Sequence, residues 1–493
     1  MATVILSIDQ GTSGSKAVLF SPQGKVHAKA TAALASTYPV SGYVEQDPEE
    51  IYATVLQATG DAVAAYEAQG GRREDIACCG ISNQRETFLL WDTEGRPLRP
   101  AVVWQCKRSV PVCERLQREG VAAELKQRTG LMVDPYFSGT KLTWIIENEP
   151  ETAAAIRRGE VLFGTVDTWL LYRLTGGAAY AGDYTNASRT LFMNLDTLEW
   201  DTPMLKMLSA EGLRLPELHT SSARFGESSF QGTFERPIPI TAMIGDSHAA
   251  AFGERCISKG TAKATLGTGS SILMNTGRQR PVSEHGMVET VCWSAGERVD
   301  YALEGIIVSC GSTITWLRDQ MGLFQESHES DALAESVPDN GGVCLIPAFA
   351  GLGAPYWKMD QTALISGLTF AAGKAHVVRA GLESIGYQIK DVVDAMELDS
   401  GIALSRLQVD GGLTKSSFVM PRLADLLEVP VAAIELTEAS ALGAALLAGL
   451  GAGIYSGIDE IAAIPYTSID YTPQKQTEVQ EAYQMWKKTV RTL

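Results

Sequence analysis

Three short stretches pair little side-chain bulk with several backbone N–H groups and hydroxyls, the combination that lets a phosphate oxygen approach a main chain. "VILSIDQGTSGSKAVLF" (4–20) is a β-run, a turn holding Thr12, Ser13 and Gly14, and a second β-run that begins beside Lys16. "KATLGTGSSILMNT" (263–276) repeats that plan half a chain later, with Gly267, Thr268 and Gly269 in the turn. "VDGGLTKSSF" (409–418) ends a strand in Asp410, turns on Gly411 and Gly412, and enters a helix through Thr414, Ser416 and Ser417. Such a turn lets a nucleotide lie against a helix N-terminus. Either hairpin alone reads equally well as a tight turn with turn-favouring residues. Three such turns in one chain point to a nucleotide divided between two domains. A fourth stretch, "AMIGDSHAAAFGE" (242–254), sets the carboxylate of Asp246 between a strand-like hydrophobic run and a helix-like run of small residues. An aspartate there either caps the helix or is held out for chemistry.

The elements that must position these residues follow from the repeat and the bulk properties. A duplicated hairpin predicts two related halves facing each other, and 493 residues exceed what one core usually organises. Hydrophobic residues at 45% and charged residues at 20% supply an ordinary globular core. The net charge of −17 is dispersed along the chain, which argues against a nucleic-acid surface and for a small ligand. Eight cysteines without a C-x-x-C spacing indicate neither a zinc site nor a disulfide framework, and are expected as reduced core thiols. The N-terminal apolar run meets Asp9 at once and lacks a basic leader, so it does not read as a signal peptide. The longest apolar stretch, "ASALGAALLAGLGAGIY" (439–455), is shorter than a bilayer span and is expected as a buried, tightly packed helix. A cytoplasmic protein with no membrane insertion is the expectation.

Eight further stretches occur in order: "DQGTSGSKA" (9–17), "SNQRETFLLWD" (82–92), "AVVWQC" (101–106), "DPYFSGTKLTWIIEN" (134–148), "GTVDTWLLYRLTGG" (164–177), "DYTNASRTLFMNLDTLEWD" (183–201), "GLGAPYW" (351–357) and "TEASALGAALLAG" (437–449). Through them the chain resembles the FGGY carbohydrate kinases, most closely their glycerol kinase branch, over nearly its whole length. The resemblance implies an α/β fold of two actin/Hsp70/hexokinase-like (ribonuclease H-like) domains, with ATP and Mg²⁺ beside the acceptor in a central cleft. Residues 1–252 would form the N-terminal domain, with the acceptor site, first phosphate turn and catalytic Asp. Residues 253–493 would form the C-terminal domain, with the second phosphate turn, the adenosine site and a terminal helical region from about 474. The implied reaction is ATP-dependent phosphorylation of a terminal hydroxyl of glycerol or a closely related small polyol.

Phosphoryl transfer needs in-line geometry, charge compensation on the oxygens and a base for the acceptor proton. By the resemblance Asp246 is that base, and Asp9 with Asp246 holds Mg²⁺, a cation satisfied by a few carboxylates and retained waters. Thr12, Ser13, Gly14, Lys16, Gly267, Thr268, Gly269, Gly311, Gly411, Gly412 and Ser416 are the implied nucleotide contacts; the family commonly has Arg at the position of Lys16. Arg85 and Glu86 are implied partners of the acceptor hydroxyls, a donor-only group beside an acceptor-only one. Trp104 and Tyr136 complete that pocket.

The departures are as informative. Glycerol kinases typically follow the catalytic Asp with two glutamines and carry a Phe after the second phosphate turn, where this chain has Ser247, His248 and Ser271. Ser247 and Ser271 are therefore expected to line a wider, more polar acceptor pocket, and His248 to face the helix interior or hinge. Gln361, Thr362 and Ala363 replace a usual Asp-Ala-Arg-Gly run, Ser416 an Asn near the adenine, and "FQGTFERPIPI" (230–240) lacks a Gly-Gly-x-Arg arrangement linked to regulation. A kinase of a larger polyol or ketose, and a non-catalytic nucleotide-binding actin-like module, remain as alternatives. A homodimer is expected.

Overall fold

The computed structural model describes residues 3–474 and 477–492. The first hairpin pairs Val4–Gly11 with Gly14–Phe20, closing on Gly11↔Gly14 so that Thr12 and Ser13 form the turn. The second pairs Thr261–Leu266 with Ser270–Gly277, closing on Leu266↔Ser270 around residues 267–269. Each hairpin sits in the same order of strands. In the first half Val26–Ala33, Gly14–Phe20, Val4–Gly11, Ile76–Asn83 and Ile238–Gly245 are neighbours; in the second, Arg298–Ile307, Ser270–Gly277, Thr261–Leu266, Arg406–Asp410 and Val431–Ile434. Duplication thus extends from the turns to the topology. The halves join in one 13-stranded sheet, and its seam is a single pairing, Ser222↔Ala295.

The first strands run apolar on both faces because helices cover both: Val4, Ile5, Leu6 and Ile8 are all buried. Pro48–Ala68 lies on one face, started by the Asp47 side chain, which accepts from Glu49 N. The other face is covered by Ala439–Gly451, the apolar stretch singled out above, which comes from the second half of the chain. Its backbone touches the first half directly. A Cβ on Gly80 would sit 2.3 Å from the Ala444 carbonyl oxygen, and Thr241 Oγ1 donates to the Ala448 carbonyl at 2.8 Å. The same helix crosses Asp246–Gly253 on small residues, where a Cβ on Gly443 would lie 1.8 Å from the Ala249 carbonyl oxygen. The terminal helix Thr477–Val490 packs through Tyr483, Trp486 and Val490 on the second half. All eight cysteines are buried free thiols.

Candidate active site

Register brings the first three charged groups together. Asp9 pairs with Ser82 in parallel strands, and Gly245 pairs with Asn83 in the next parallel pair. Asp9, Arg85 and Asp246 therefore collect at the carboxyl edge of three adjacent strands, where open α/β sheets bind ligands. Asp246 opens the helix Asp246–Gly253, but its side chain does not cap it in the usual way. Its Oδ1 accepts from Ser247 N at 2.6 Å and from Arg85 Nε at 3.1 Å, and the side chain is 38% exposed to the cleft. Oδ2 accepts from none of the described residues. Gly245 makes this possible: a Cβ there would lie 2.7 Å from Arg85 Cγ.

Arg85 places its two terminal nitrogens on Glu304, at 3.1 and 2.9 Å. Glu304 also meets Arg189 Nη1 at 2.7 Å and accepts from Ser271 Oγ at 2.9 Å. Arg189 Nε in turn donates to Glu86 Oε1 at 2.5 Å. Burial opposes ionisation of Glu304, but Arg189 and Arg85 outweigh it and hold its carboxyl below the usual range. Glu86 has φ 59, a left-handed conformation rare outside glycine, and is pinned by Arg189 and by Ser138 Oγ on its carbonyl at 2.8 Å. His248 is fully buried against Thr290 Oγ1 at 3.3 Å; burial, then Arg85, pushes its imidazole well below the ordinary value. It is an interior side chain, as expected.

Around this cluster opens a cavity of about 810 Å³ between the two halves. It is lined by Thr12, Arg85, Glu86, Trp104, Tyr136, Asp246, Ser247, Thr268, Gly269 and Ser271 among the residues picked out from sequence, and by Glu304, Trp357 and Met359 among those that were not. Trp104 and Tyr136 meet edge to face at 5.6 Å, and Trp104 Nε1 donates to Thr12 Oγ1 at 2.9 Å. Behind them Lys141, fully buried, donates to the carbonyls of Tyr136 at 2.8 Å, Trp104 at 3.2 Å and Val103 at 3.5 Å. Burial pushes its ammonium down to about 8.

The turns expected from the sequence to take the nucleotide pack closely on neighbouring backbone. A Cβ on Gly14 would come within 2.6 Å of the Ala32 carbonyl oxygen, and one on Gly269 within 2.7 Å of that of Ile307. Gly311 N donates to the Gly267 carbonyl at 2.9 Å and Ser312 N to that of Thr268 at 3.1 Å. Gly411 has φ +97, so the left-handed turn after Arg406–Asp410 requires glycine, whereas Gly412 faces open space. The chain then makes a short 3₁₀ turn, Gly412–Lys415, and the helix begins only at Val419. Ser416 is engaged locally, donating to Asp331 Oδ1 at 2.9 Å and accepting from Val419 N at 3.0 Å. Ser13 sits in its turn with its carbonyl accepting from Leu34 N at 3.0 Å. Lys16 points its Nζ at Glu438 Oε2, 2.5 Å away, rather than into the cavity. Asp9, which accepts from Ser82 Oγ at 3.1 Å, is pushed up to about 6 by burial and by Asp246, against Lys16.

Comparison with known proteins decides the family. Residues 4–253 match the N-terminal domain, and residues 262–452 the C-terminal domain, of the FGGY family of carbohydrate kinases. The chain belongs to that family. This FGGY kinase is 44% identical to a glycerol kinase of Symbiobacterium thermophilum over 99% of its own length and 97% of that relative. It is 44% identical to glycerol kinase 2 of Thermotoga maritima over 99% and 98%. The crystal structure of Plasmodium falciparum glycerol kinase with ADP superposes with a TM-score of 0.94 at 32% identity, covering 100% of this chain and 98% of that one. The FGGY kinase fold of two α/β halves around a cleft is thereby shown. Glu304, Arg189 and Lys141 were not picked out from the sequence. The available signal was a lone charge inside an apolar run: Glu304 stands in "YALEGII", a strand otherwise almost wholly buried.

Proposed function

We propose that this FGGY kinase transfers the γ-phosphoryl group of ATP to a terminal hydroxyl of glycerol or a closely related small polyol. The observation that carries the reading is the meeting of Asp246, with its free Oδ2, and Arg85 at one wall of a cleft whose other wall is the Thr268–Gly269 turn. The acceptor hydroxyl donates its proton to Asp246 as its oxygen attacks. Arg85 and Glu86 orient the remaining hydroxyls, and Trp104 covers the carbon chain. The turns at 12–14, 267–269 and 411–412 receive the phosphates through backbone N–H groups, so charge is met without side-chain reorganisation. The full-length likeness to proteins named glycerol kinase supports the acceptor class.

Asp9 and Asp246 supply the oxygen donors that suit Mg²⁺. Asp9 is a half-buried carboxylate raised by desolvation and by its neighbour Asp246, the situation a bound cation relieves. When bound, Mg²⁺ would neutralise charge on the transferring phosphoryl group. The domain boundary is proposed at 252/253. A cytoplasmic location is proposed: among the described residues no helix is long and apolar enough to cross a membrane. A homodimer is proposed as well; Leu368 and Phe370, both exposed, offer apolar surface of the kind an interface covers.

A second reading, a longer polyol or ketose as acceptor, is favoured by the small side chains of Ser247 and Ser271 on the cavity wall. Ser271 does not present a free hydroxyl, since it donates to Glu304. One coupled assay of ADP release over glycerol, dihydroxyacetone, four- and five-carbon polyols and ketoses tests both readings. A preference for glycerol in kcat/KM supports the first, a preference for a longer acceptor the second. Absence of turnover with any of them overturns both.

A further inference from the structure

The two side chains proposed to grip the acceptor do not hold themselves in place. Arg85 and Glu86 lie on the turn after Ile76–Asn83 in the first half, and both are tied to one carboxylate in the second half. Glu304, wholly buried, takes the fork of Arg85 directly and reaches Glu86 through Arg189. Among the described residues these four form a chain, Arg85–Glu304–Arg189–Glu86, with Ser271 Oγ on Glu304 and Asp246 Oδ1 on Arg85 Nε. The pairing matters, because a buried charge without a partner costs several kcal/mol.

The strand that bears Glu304, Arg298–Ile307, also carries the support of the second phosphate turn. Ile307 and Val308 carbonyl oxygens would lie 2.7 and 3.0 Å from a Cβ on Gly269, and Cys310 N donates to the Thr268 carbonyl at 2.9 Å. From Glu304 to Ile307 is one residue more than a pleat repeat, in a paired strand with no bulge at that point: Ser270↔Ile307 through Leu273↔Glu304 run in continuous register. A single stiff segment thus grips the acceptor-binding arginine at one point and backs the phosphate turn at the next.

We propose that Glu304 is a positioning residue that sets the distance and alignment between the acceptor hydroxyl and the transferring phosphoryl group. It acts through Arg85 and through Arg189 on Glu86. The inference rests on the polyol kinase reading, and deepens it by naming the cross-cleft contact on which in-line geometry depends. A misplacement of about 1 Å at such a site can cost about 10²-fold in rate.

The test compares Glu304→Gln, Glu304→Asp and Arg189→Lys with wild type in full-length protein. Steady-state transfer, acceptor-independent ATP hydrolysis, ATP binding by calorimetry and thermal unfolding are measured on each. Glu304→Gln is expected to lower acceptor kcat/KM by about 10²-fold or more while ATP affinity stays within a few-fold. The ratio of hydrolysis to transfer should rise, a change that loss of stability alone does not produce. Glu304→Asp, which keeps the charge, should recover part of the transfer rate. Arg189→Lys should show the same split between acceptor and ATP. If Glu304→Gln does not fold, the Asp and Lys variants carry the same comparison. Wild-type acceptor KM and an unchanged hydrolysis-to-transfer ratio in the folded variants would overturn the proposal. Wild-type protein that phosphorylates no polyol or ketose would instead overturn the functional reading, so the two failures are told apart by the wild-type assay.

Discussion

Lys141 shows how one buried charge shapes a pocket it does not enter. Its ammonium holds the carbonyls of Val103, Trp104 and Tyr136, and so fixes the two rings that wall the proposed acceptor site. Burial lowers it from the ordinary 10.5 to about 8, so between those values the unfolded chain binds a proton that the folded protein has released. The cost of burying the ammonium is therefore present below pH 8 and is relieved as pH rises towards 10.5. Function moves the other way, because the neutral amine holds the carbonyls less strongly. Acceptor KM should rise by about threefold to tenfold between pH 7 and 9 while ATP KM stays level, and Lys141→Met should show the high KM at both values. Initial-rate kinetics across that range checks this. Asp246→Asn should leave ATP binding nearly intact and lower kcat by about 10²- to 10⁴-fold, the range of a positioned base; single-turnover transfer with calorimetric ATP affinity measures both. Asp246 was singled out by its strand-to-helix turn, and Arg85 by the family resemblance of "SNQRETFLLWD". Glu304 and Arg189 were not: Arg85 and Glu304 are 219 positions apart, and no local pattern says which distant charge will neutralise a lone carboxylate in an apolar strand.

At the scale of elements, both hairpins, the strand-to-helix turn at Asp246 and the buried helix at 439–451 were legible, since each rests on local periodicity and turn chemistry. Less legible were the fate of Lys16, which lies on Glu438, and the delay of the helix after Gly412 until Val419. Both depend on tertiary partners: Glu438 leads into Ala439–Gly451, and Asp331 takes the hydroxyl of Ser416. The crossing of Ala439–Gly451 over Asp246–Gly253 depends on missing side chains. Gly443→Ala would drive a methyl to 1.8 Å from the Ala249 carbonyl oxygen and should destabilise by about 1–3 kcal/mol or more, read from the urea midpoint. Gly60→Ala is the control: it lies inside the helix Pro48–Ala68 with nothing within 4 Å, and should stabilise by about 0.5–1 kcal/mol.

For the molecule as a whole, the cleft is walled by residues 12–247 on one side and 268–359 on the other, while among the described residues the sheet that joins the halves has a single pairing, Ser222↔Ala295, at its seam. A seam of one pairing resists bending little. Acceptor together with a non-hydrolysable ATP analogue should draw the halves together, and small-angle scattering should record a smaller radius of gyration than either ligand alone gives. An unchanged radius would count against closure. The seam is not the only tie, however, for Ala439–Gly451 lies on the sheet of the half made first. That has a consequence for how the protein is born. The first half leaves the ribosome with Gly80, Thr241 and Ala249 still uncovered, and waits for roughly 200 further residues, about 10–40 s at 5–20 residues per second, before its last helix arrives. The domain synthesised first is completed by nearly the last helix to emerge, and during that interval its apolar sheet face is open to whatever in the cell shields nascent chains.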